Sequence, residues 1–189
     1  LSLHFFLKNK NFYCFYMGKN VIIVGECGDN SHNYIMKEEK INISFTGEYY
    51  NSLDSKSRLS IPAKFRKALD PINDRTFVLT RGFDKCLLLY PVSEWSKVEE
   101  QLSFLSSMKG RHRNFIRSIV RHASYLQYDS QGRVIIPENL CRYAEIEKEI
   151  AVIGVIKKIE LWSPSILNDF DSDSEDLNEF EDLADEISF

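Results

Sequence analysis

No apolar run among the 189 residues approaches the ~20 that a membrane-crossing helix needs. Cysteine is sparse. Cys14, Cys27, Cys86 and Cys141 are scattered without a CxxC pair, which argues against a zinc site and a disulfide scaffold and fits a reducing cytosol. Neither a GxSxG turn nor a glycine-rich phosphate-cradling loop is present, and His112 and His122 have no Cys or acid at metal-ligand spacing. An enzyme, a resident metal and a cofactor are therefore not expected. Tyr and Trp sit mainly in strand or helix patterns, so base stacking is not expected either.

With 43% hydrophobic and 28% charged residues the chain has the composition of a soluble globular protein, large enough for one good core or two small ones. Its net charge of −4 is unevenly spread. Residues 169–189 hold ten Asp/Glu and no Lys/Arg, and residues 1–35 hold three Lys against two acids. That leaves 21 Lys/Arg against 16 Asp/Glu in 36–168, a basic body with an acidic tail.

The body contains a repeat. Asp54-Ser55-Lys56-Ser57-Arg58-Leu59-Ser60-Ile61-Pro62 returns 75 positions later as Asp129-Ser130-Gln131-Gly132-Arg133-Val134-Ile135-Ile136-Pro137. A supersecondary unit written twice means two copies of one small module. Around the first copy the pattern predicts a strand over 45–53, a polar turn Asp54–Ser57, and a strand with Leu59 and Ile61 on one face. Pro62 suits the first turn of a helix over 63–69 that buries Phe65 and Leu69. A hairpin of 76–79 and 86–90 turns at Gly82-Phe83-Asp84 and ends at Pro91. In the second copy Leu140 and Ala144 take the places of Phe65 and Leu69. The hairpin of 150–153 and 159–162 lies 73 positions on, and Pro164 answers Pro91.

Two helical stretches lie between the copies. Trp95, Val98, Leu102 and Leu105 mark one over 94–105, broken at Gly110. Ile116, Ile119, Val120 and Ala123 mark another over 113–123, with Arg113, Arg117 and Arg121 along a second face. The domain reading is an N-terminal extension 1–35, a first module 48–95, a helical connector 96–123, a second module 124–167, and an acidic tail 168–189 expected to be mostly disordered. Met36 is read as the natural start, with 1–35 either translated upstream sequence or a genuine flexible arm.

Each Asp is placed to accept backbone N–H groups and close its turn, and Gly132 supplies a permissive backbone where Ser57 must manage without. Each Arg then emerges on the polar face with its donors free for phosphate or a guanine edge. Lys56 adds charge beside the first, and Gln131 can hydrogen-bond at the matching place. The competing reading is an Asp–Arg pair that only fastens a hairpin; two copies in a basic body favour the binding role. Ile135 stands where Ser60 is outward in the first copy, and is read as core packing or as a lobe or subunit contact.

The string Asp-Ser-Gln-Gly-Arg-Val-Ile-Ile-Pro followed by a short helix resembles the AbrB-type DNA-binding half-module. Two such modules with helices between, the lead-in Phe45-Thr46-Gly47-Glu48-Tyr49, and the runs Leu87-Leu88-Leu89-Tyr90-Pro91 and His122-Ala123-Ser124 resemble the MraZ transcription regulators over residues 45–162. The resemblance implies an α+β, mostly β fold. Two tandem AbrB-like modules would form an intrachain pseudo-dimeric swapped-hairpin β-barrel with flanking helices. It also implies a ring-shaped homo-oligomer, cytoplasmic and nucleoid-associated, that binds repeated boxes in the double-stranded promoter DNA of a cell-division and cell-wall gene cluster, with repression as the expected outcome. DNA contact passes to Arg58, Arg133 and Lys56, with turn support from Asp54, Asp129 and Gly132. Ser57, where the family often has Gly, departs from the pattern.

Three further readings stand beside this one. The row Arg113, Arg117 and Arg121, with Arg111, is a second phosphate surface, a solvated face, or a partner for the acidic helix 94–100; Arg81 shares that ambiguity. The acidic tail can mimic nucleic acid and compete for the arginine face. The alternative function is a ring-shaped protein-interaction scaffold whose basic face is incidental.

Overall fold

The computed structural model describes residues 4–9, 12–16, 22–26, 35–37 and 44–173. It divides into two units, 1–42 and 43–189. In the first, strands β1 (His4–Asn9), β2 (Phe12–Tyr16), β3 (Ile22–Glu26) and β4 (Ile35–Lys37) form an antiparallel sheet in sequence order. The expectation that 1–35 is an extension falls largely on this unit.

In the second unit β5 (Phe45–Ser52) leads through the first repeated turn to β6 (Arg58–Ser60) and helix α1 (Ala63–Ala68). A 3₁₀ turn at Pro71–Asn73 connects to the hairpin β7 (Thr76–Arg81) and β8 (Leu87–Pro91). Helices α2 (Val92–Ser103) and α3 (Gly110–Val120) follow, then β9 (Ser124–Gln127), β10 (Arg133–Ile135), α4 (Glu138–Tyr143), the hairpin β11 (Glu149–Ile156) and β12 (Lys158–Trp162), and α5 (Pro164–Asp173). Helix α1 starts at Ala63 as expected, with Pro62 just before it, and Pro137 stands in the same place before α4. Each is the N-cap residue in extended backbone, its carbonyl accepting the first helical N–H groups. Helix α2 already ends at Ser103, so Gly110 does not break it but begins α3, about a turn earlier than the apolar spacing indicated. Helix α5 runs on to Asp173, anchored by Leu167 in a buried cluster and by Phe170 against the Trp162 ring at 5.3 Å. The remainder of the acidic tail, 174–189, lies outside the described residues.

All pairings in the six-stranded sheet are antiparallel, in the order β5-β11-β12-β8-β7-β9. Its two halves interchange the copies. β5 of the first module pairs with β11 of the second over eight register positions, and β9 of the second pairs with β7 of the first. Each hairpin is thus completed by a strand from the other copy, the arrangement of a swapped dimer within one chain. Among the described residues β5 and β9 end the hydrogen-bonded order, and a separate β6–β10 ribbon lies over the same core.

Both faces of the hairpin strands are covered, which is why Phe77-Val78-Leu79-Thr80 is buried without alternation. One face meets Leu59 and Ile61 of β6 and its flank, Val134 and Ile136 of β10 and its flank, Phe65 of α1 and Leu140 of α4. The other carries a smaller cluster of Cys86, Leu88, Ala151, Trp162 and Leu167. Buried Asn73 ties the 3₁₀ turn to the start of α2: its Oδ1 accepts the Ser93 N–H at 2.8 Å, satisfying one orphan donor there.

Candidate nucleic-acid interface

The two repeated turns have the same construction. In the first, Asp54 Oδ1 accepts the N–H groups of Lys56 (2.8 Å) and Arg58 (3.0 Å), and Oδ2 accepts Arg58 Nε at 2.6 Å. In the second, Asp129 Oδ1 accepts Gln131 and Arg133 N–H at 2.9 and 3.0 Å, while Oδ2 accepts Arg133 Nε at 2.9 Å and a terminal nitrogen at 2.7 Å. The backbone closes identically: Ser57 donates to the Asp54 carbonyl and Gly132 to the Asp129 carbonyl. Ser57 adopts φ 55° where Gly132 has φ 78°, so the serine accepts the left-handed conformation that glycine takes without strain. The substitution left the turn geometry intact.

The carboxylates respond to their donors. At Asp54 partial burial alone would raise the pKa, but the N–H groups of Arg58 and Lys56 and the Arg58 side chain together outweigh it and the pKa is lowered. At Asp129 the Arg133 side chain, then its backbone N–H, draws the pKa down to about 2. Both stay ionised at neutral pH.

Past the turns the two strands form the ribbon: Arg58 lies opposite Ile135, Leu59 opposite Val134, and Ser60 opposite Arg133. Ile61 N–H donates to the Gly132 carbonyl and Ile136 N–H to the Ser57 carbonyl, extending the ladder symmetrically at both ends. Alternation sends Leu59, Ile61, Val134 and Ile136 into the core. It leaves Arg58, Ser60, Arg133 and Ile135 on one outward face. The two arginines are diagonal neighbours there, with Cα atoms about 7–8 Å apart by the geometry of an antiparallel ladder. Their side chains are 29% and 27% exposed, partly covered by the carboxylates that hold them.

Two sequence-level expectations change here. The guanidinium donors are not all free: Nε of each Arg is committed to its Asp, and at Arg133 one terminal nitrogen is committed as well, which fixes the plane of each fork. Ile135 is not core: it is 61% exposed on the arginine face, opposite Arg58.

Because each Asp–Arg pair is formally neutral, net positive charge on this side comes from other residues. Lys56 is exposed beside the first turn. Helix α1 carries Lys64, Arg66 and Lys67 with no acid, Lys64 donating to the Thr46 carbonyl at 3.2 Å, whereas α4 pairs Arg142 with Glu138 at 2.8 Å. Arg66 was not singled out from the sequence. It reaches from the first module across to the second turn, donating Nε to the Ile61 carbonyl at 3.1 Å and lying against Gly132, where an added Cβ would meet its Nε at 2.5 Å. Its counterpart 75 positions on is Cys141, so the repeat concealed it. Asn51 Nδ2 also braces the ribbon through the Ser60 carbonyl at 2.8 Å.

The connector row is arranged differently from the pairing considered for it. Arg113 donates to the carbonyls of Ser107 and Met108, Arg117 to Asn114 and Arg121 to His122. Glu94 pairs with Lys97. Among the described residues none of these arginines meets the acids of α2. Arg81 places its guanidinium carbon 4.3 Å from the Tyr143 ring centroid. No group of His, Cys, Asp and Glu among the described residues is arranged to hold a metal ion.

Comparison with known proteins agrees with this architecture. A family model described as "MraZ protein, putative antitoxin-like" matches the chain twice, over residues 44–118 and 119–189, once for each module. The protein of Pediococcus pentosaceus named transcriptional regulator MraZ is 43% identical over 143 residues, covering 76% of this chain and 96% of its own length. With two tandem matches spanning most of the sequence and a relative this similar over nearly its full length, the chain belongs to the MraZ family.

Proposed function

We propose that the outward face of the β6–β10 ribbon binds double-stranded DNA and that the chain is a transcriptional regulator. The observation that supports this best is the pair of turn-locked arginines on one face of a two-stranded ribbon. A ribbon of that width fits the major groove, and a guanidinium fork reads guanine O6 and N7 bidentately. Fixing Nε to a carboxylate removes rotamer freedom before binding, so less entropy is lost on contact. Lys56 and the basic α1 supply the phosphate attraction that the neutral Asp–Arg pairs lack. The name of the 43% identical relative points the same way.

The finer reading is sequence-specific repression at the promoter of a cell-division and cell-wall gene cluster, by a ring-shaped homo-oligomer associated with the nucleoid. Two arginines make few contacts, and binding by one chain would be weak. Repetition around a ring, matched to repeated boxes, raises affinity through effective concentration. The test is fluorescence anisotropy with a division-cluster promoter fragment against a scrambled duplex. Arg133→Ala is expected to weaken promoter binding about 10- to 100-fold, from the worth of one bidentate base contact, and to leave the scrambled duplex less affected. Equal promoter affinity for wild type, Arg58→Ala and Arg133→Ala would refute the assignment.

A further inference from the structure

The outward face of the ribbon carries four side chains in two cross-strand pairs, Arg58 opposite Ile135 and Ser60 opposite Arg133. The N–H groups of Ile61 and Ile136 donate to the carbonyls of Gly132 and Ser57, which makes the outward pairs the non-hydrogen-bonded positions of the ladder. Opposed side chains stand closest there, with Cβ atoms about 4.5–5.5 Å apart. Three of the four residues carry donors suited to DNA. Ile135 does not.

Packing gives no reason for an aliphatic residue here. Ile135 is 61% exposed and belongs to neither buried cluster. Its counterpart in the first copy is Ser60, so the strand forms without an alkyl side chain at this place. A lone exposed aliphatic residue is ordinary on a protein surface. This one stands beside both held guanidinium groups, with Arg58 across the ladder and Arg133 two residues before it on the same strand. Whatever those groups meet, Ile135 meets too. Its branched β-carbon restricts χ1, so little rotamer freedom is lost on contact.

In the major groove the edges of the four bases offer donors, acceptors and a single kind of methyl group, at C5 of thymine. We propose that Ile135 is a specificity-determining residue that packs on a thymine methyl close to the guanine read by Arg58, an inference that rests on DNA binding by the ribbon. Among the described residues Arg58 commits only Nε of its guanidinium, to Asp54, and so keeps its terminal nitrogens for guanine O6 and N7. A separation of about 5 Å between the two side chains spans one to two base steps of about 3.4 Å. The thymine therefore lies within two base pairs of that guanine. Ser60 has no methyl group to offer at the corresponding place, so only the second strand of the ribbon makes this contact.

The test is fluorescence anisotropy with the full chain and two versions of a division-cluster promoter fragment, one carrying thymine and one deoxyuridine throughout, which differ only in the C5 methyl groups. The wild type should bind the deoxyuridine version about fourfold more weakly for each box occupied, the worth of one buried methyl. Ile135→Ser, which installs the residue that position 60 already holds, should bind both versions alike, and Ile135→Val should keep the preference. The proposal is overturned if the wild type binds the two versions equally, or if Ile135→Ser retains the preference, which would trace it to DNA shape or to another residue. It is also overturned if Ile135→Ser changes the mass of the assembly in analytical ultracentrifugation, which would make Ile135 a subunit contact. Failure of DNA binding by the ribbon has a different signature: the wild type would not distinguish the promoter from a scrambled duplex, and Arg133→Ala would bind the promoter as the wild type does.

Discussion

Ser57→Gly and Gly132→Ala are expected to change stability in opposite directions, although the two positions are equivalent in the repeat. Ser57 holds φ 55° and Gly132 φ 78°. A side chain in the left-handed region costs roughly 1–2 kcal/mol, and glycine's greater freedom in the unfolded chain returns about 0.5–1 kcal/mol of that. Ser57→Gly should therefore stabilise the fold by about 0.5–1 kcal/mol, or roughly 2–3 °C for a chain of this size. Gly132→Ala incurs the same backbone terms with reversed sign and an additional one. Its Cβ would lie 2.5 Å from Arg66 Nε and 2.7 Å from Cδ, so the side chain must withdraw from the Ile61 carbonyl. A lost hydrogen bond adds about 1 kcal/mol, for a total near 2 kcal/mol and a fall of roughly 4–8 °C. Thermal denaturation followed by circular dichroism measures both. In an Arg66→Ala background the Gly132→Ala penalty should shrink by about half, a coupling that only direct contact produces. If Ser57→Gly destabilises, or if the Gly132→Ala penalty is the same with and without Arg66, the account of the turns is wrong.

Three further outcomes follow from the packing and the titrations. Asp129, with its folded pKa drawn down to about 2 against about 3.9 unfolded, adds stability that is complete above the higher value and disappears as pH falls between them; acid titration followed by the Arg133 Nε–H resonance should show that loss, and Asp129→Asn should abolish it. At Gly154 a Cβ would meet the Phe45 carbonyl carbon at 2.6 Å and Thr46 N at 2.7 Å, so Gly154→Ala should force β5 off β11, cost about 3 kcal/mol and lower the urea midpoint accordingly. Burial pushes the Cys86 thiol up to about 11, two units above its ordinary value, so at pH 8 iodoacetamide should modify it about a hundredfold more slowly in the native protein than in urea.

The local grammar of the fold was legible because each short element records its own physics in sequence. Leu59 and Ile61 alternate, Phe65 and Leu69 fall one turn apart, and both hairpins keep their register through the 75-residue repeat and its two-residue deletion. The exchange of β5 and β9 between modules was not legible from these signals, since pairing partners far apart in sequence leave no periodicity; the family resemblance supplied it. Alternation placed Ile135 on the outward face, and only its apolar character suggested the core. Arg66 escaped notice because its role depends on the glycine of the other copy and Cys141 takes its place in the repeat. The continuation of α5 through Asp169 and Asp171 depends on Phe170 reaching the Trp162 ring, a contact that the acidic composition obscured.

The central claim is that Arg58 and Arg133, held by their aspartates on one face of the ribbon, meet DNA. The most direct measurement is the dependence of log affinity on log salt for a promoter fragment with repeated boxes, comparing the wild type with Arg58→Ala plus Arg133→Ala. The account predicts weaker promoter binding at every salt concentration with a slope close to that of the wild type, because Lys56 and α1 carry the phosphate attraction. A double variant that keeps the affinity of the wild type, or one whose loss vanishes as salt rises, would contradict it.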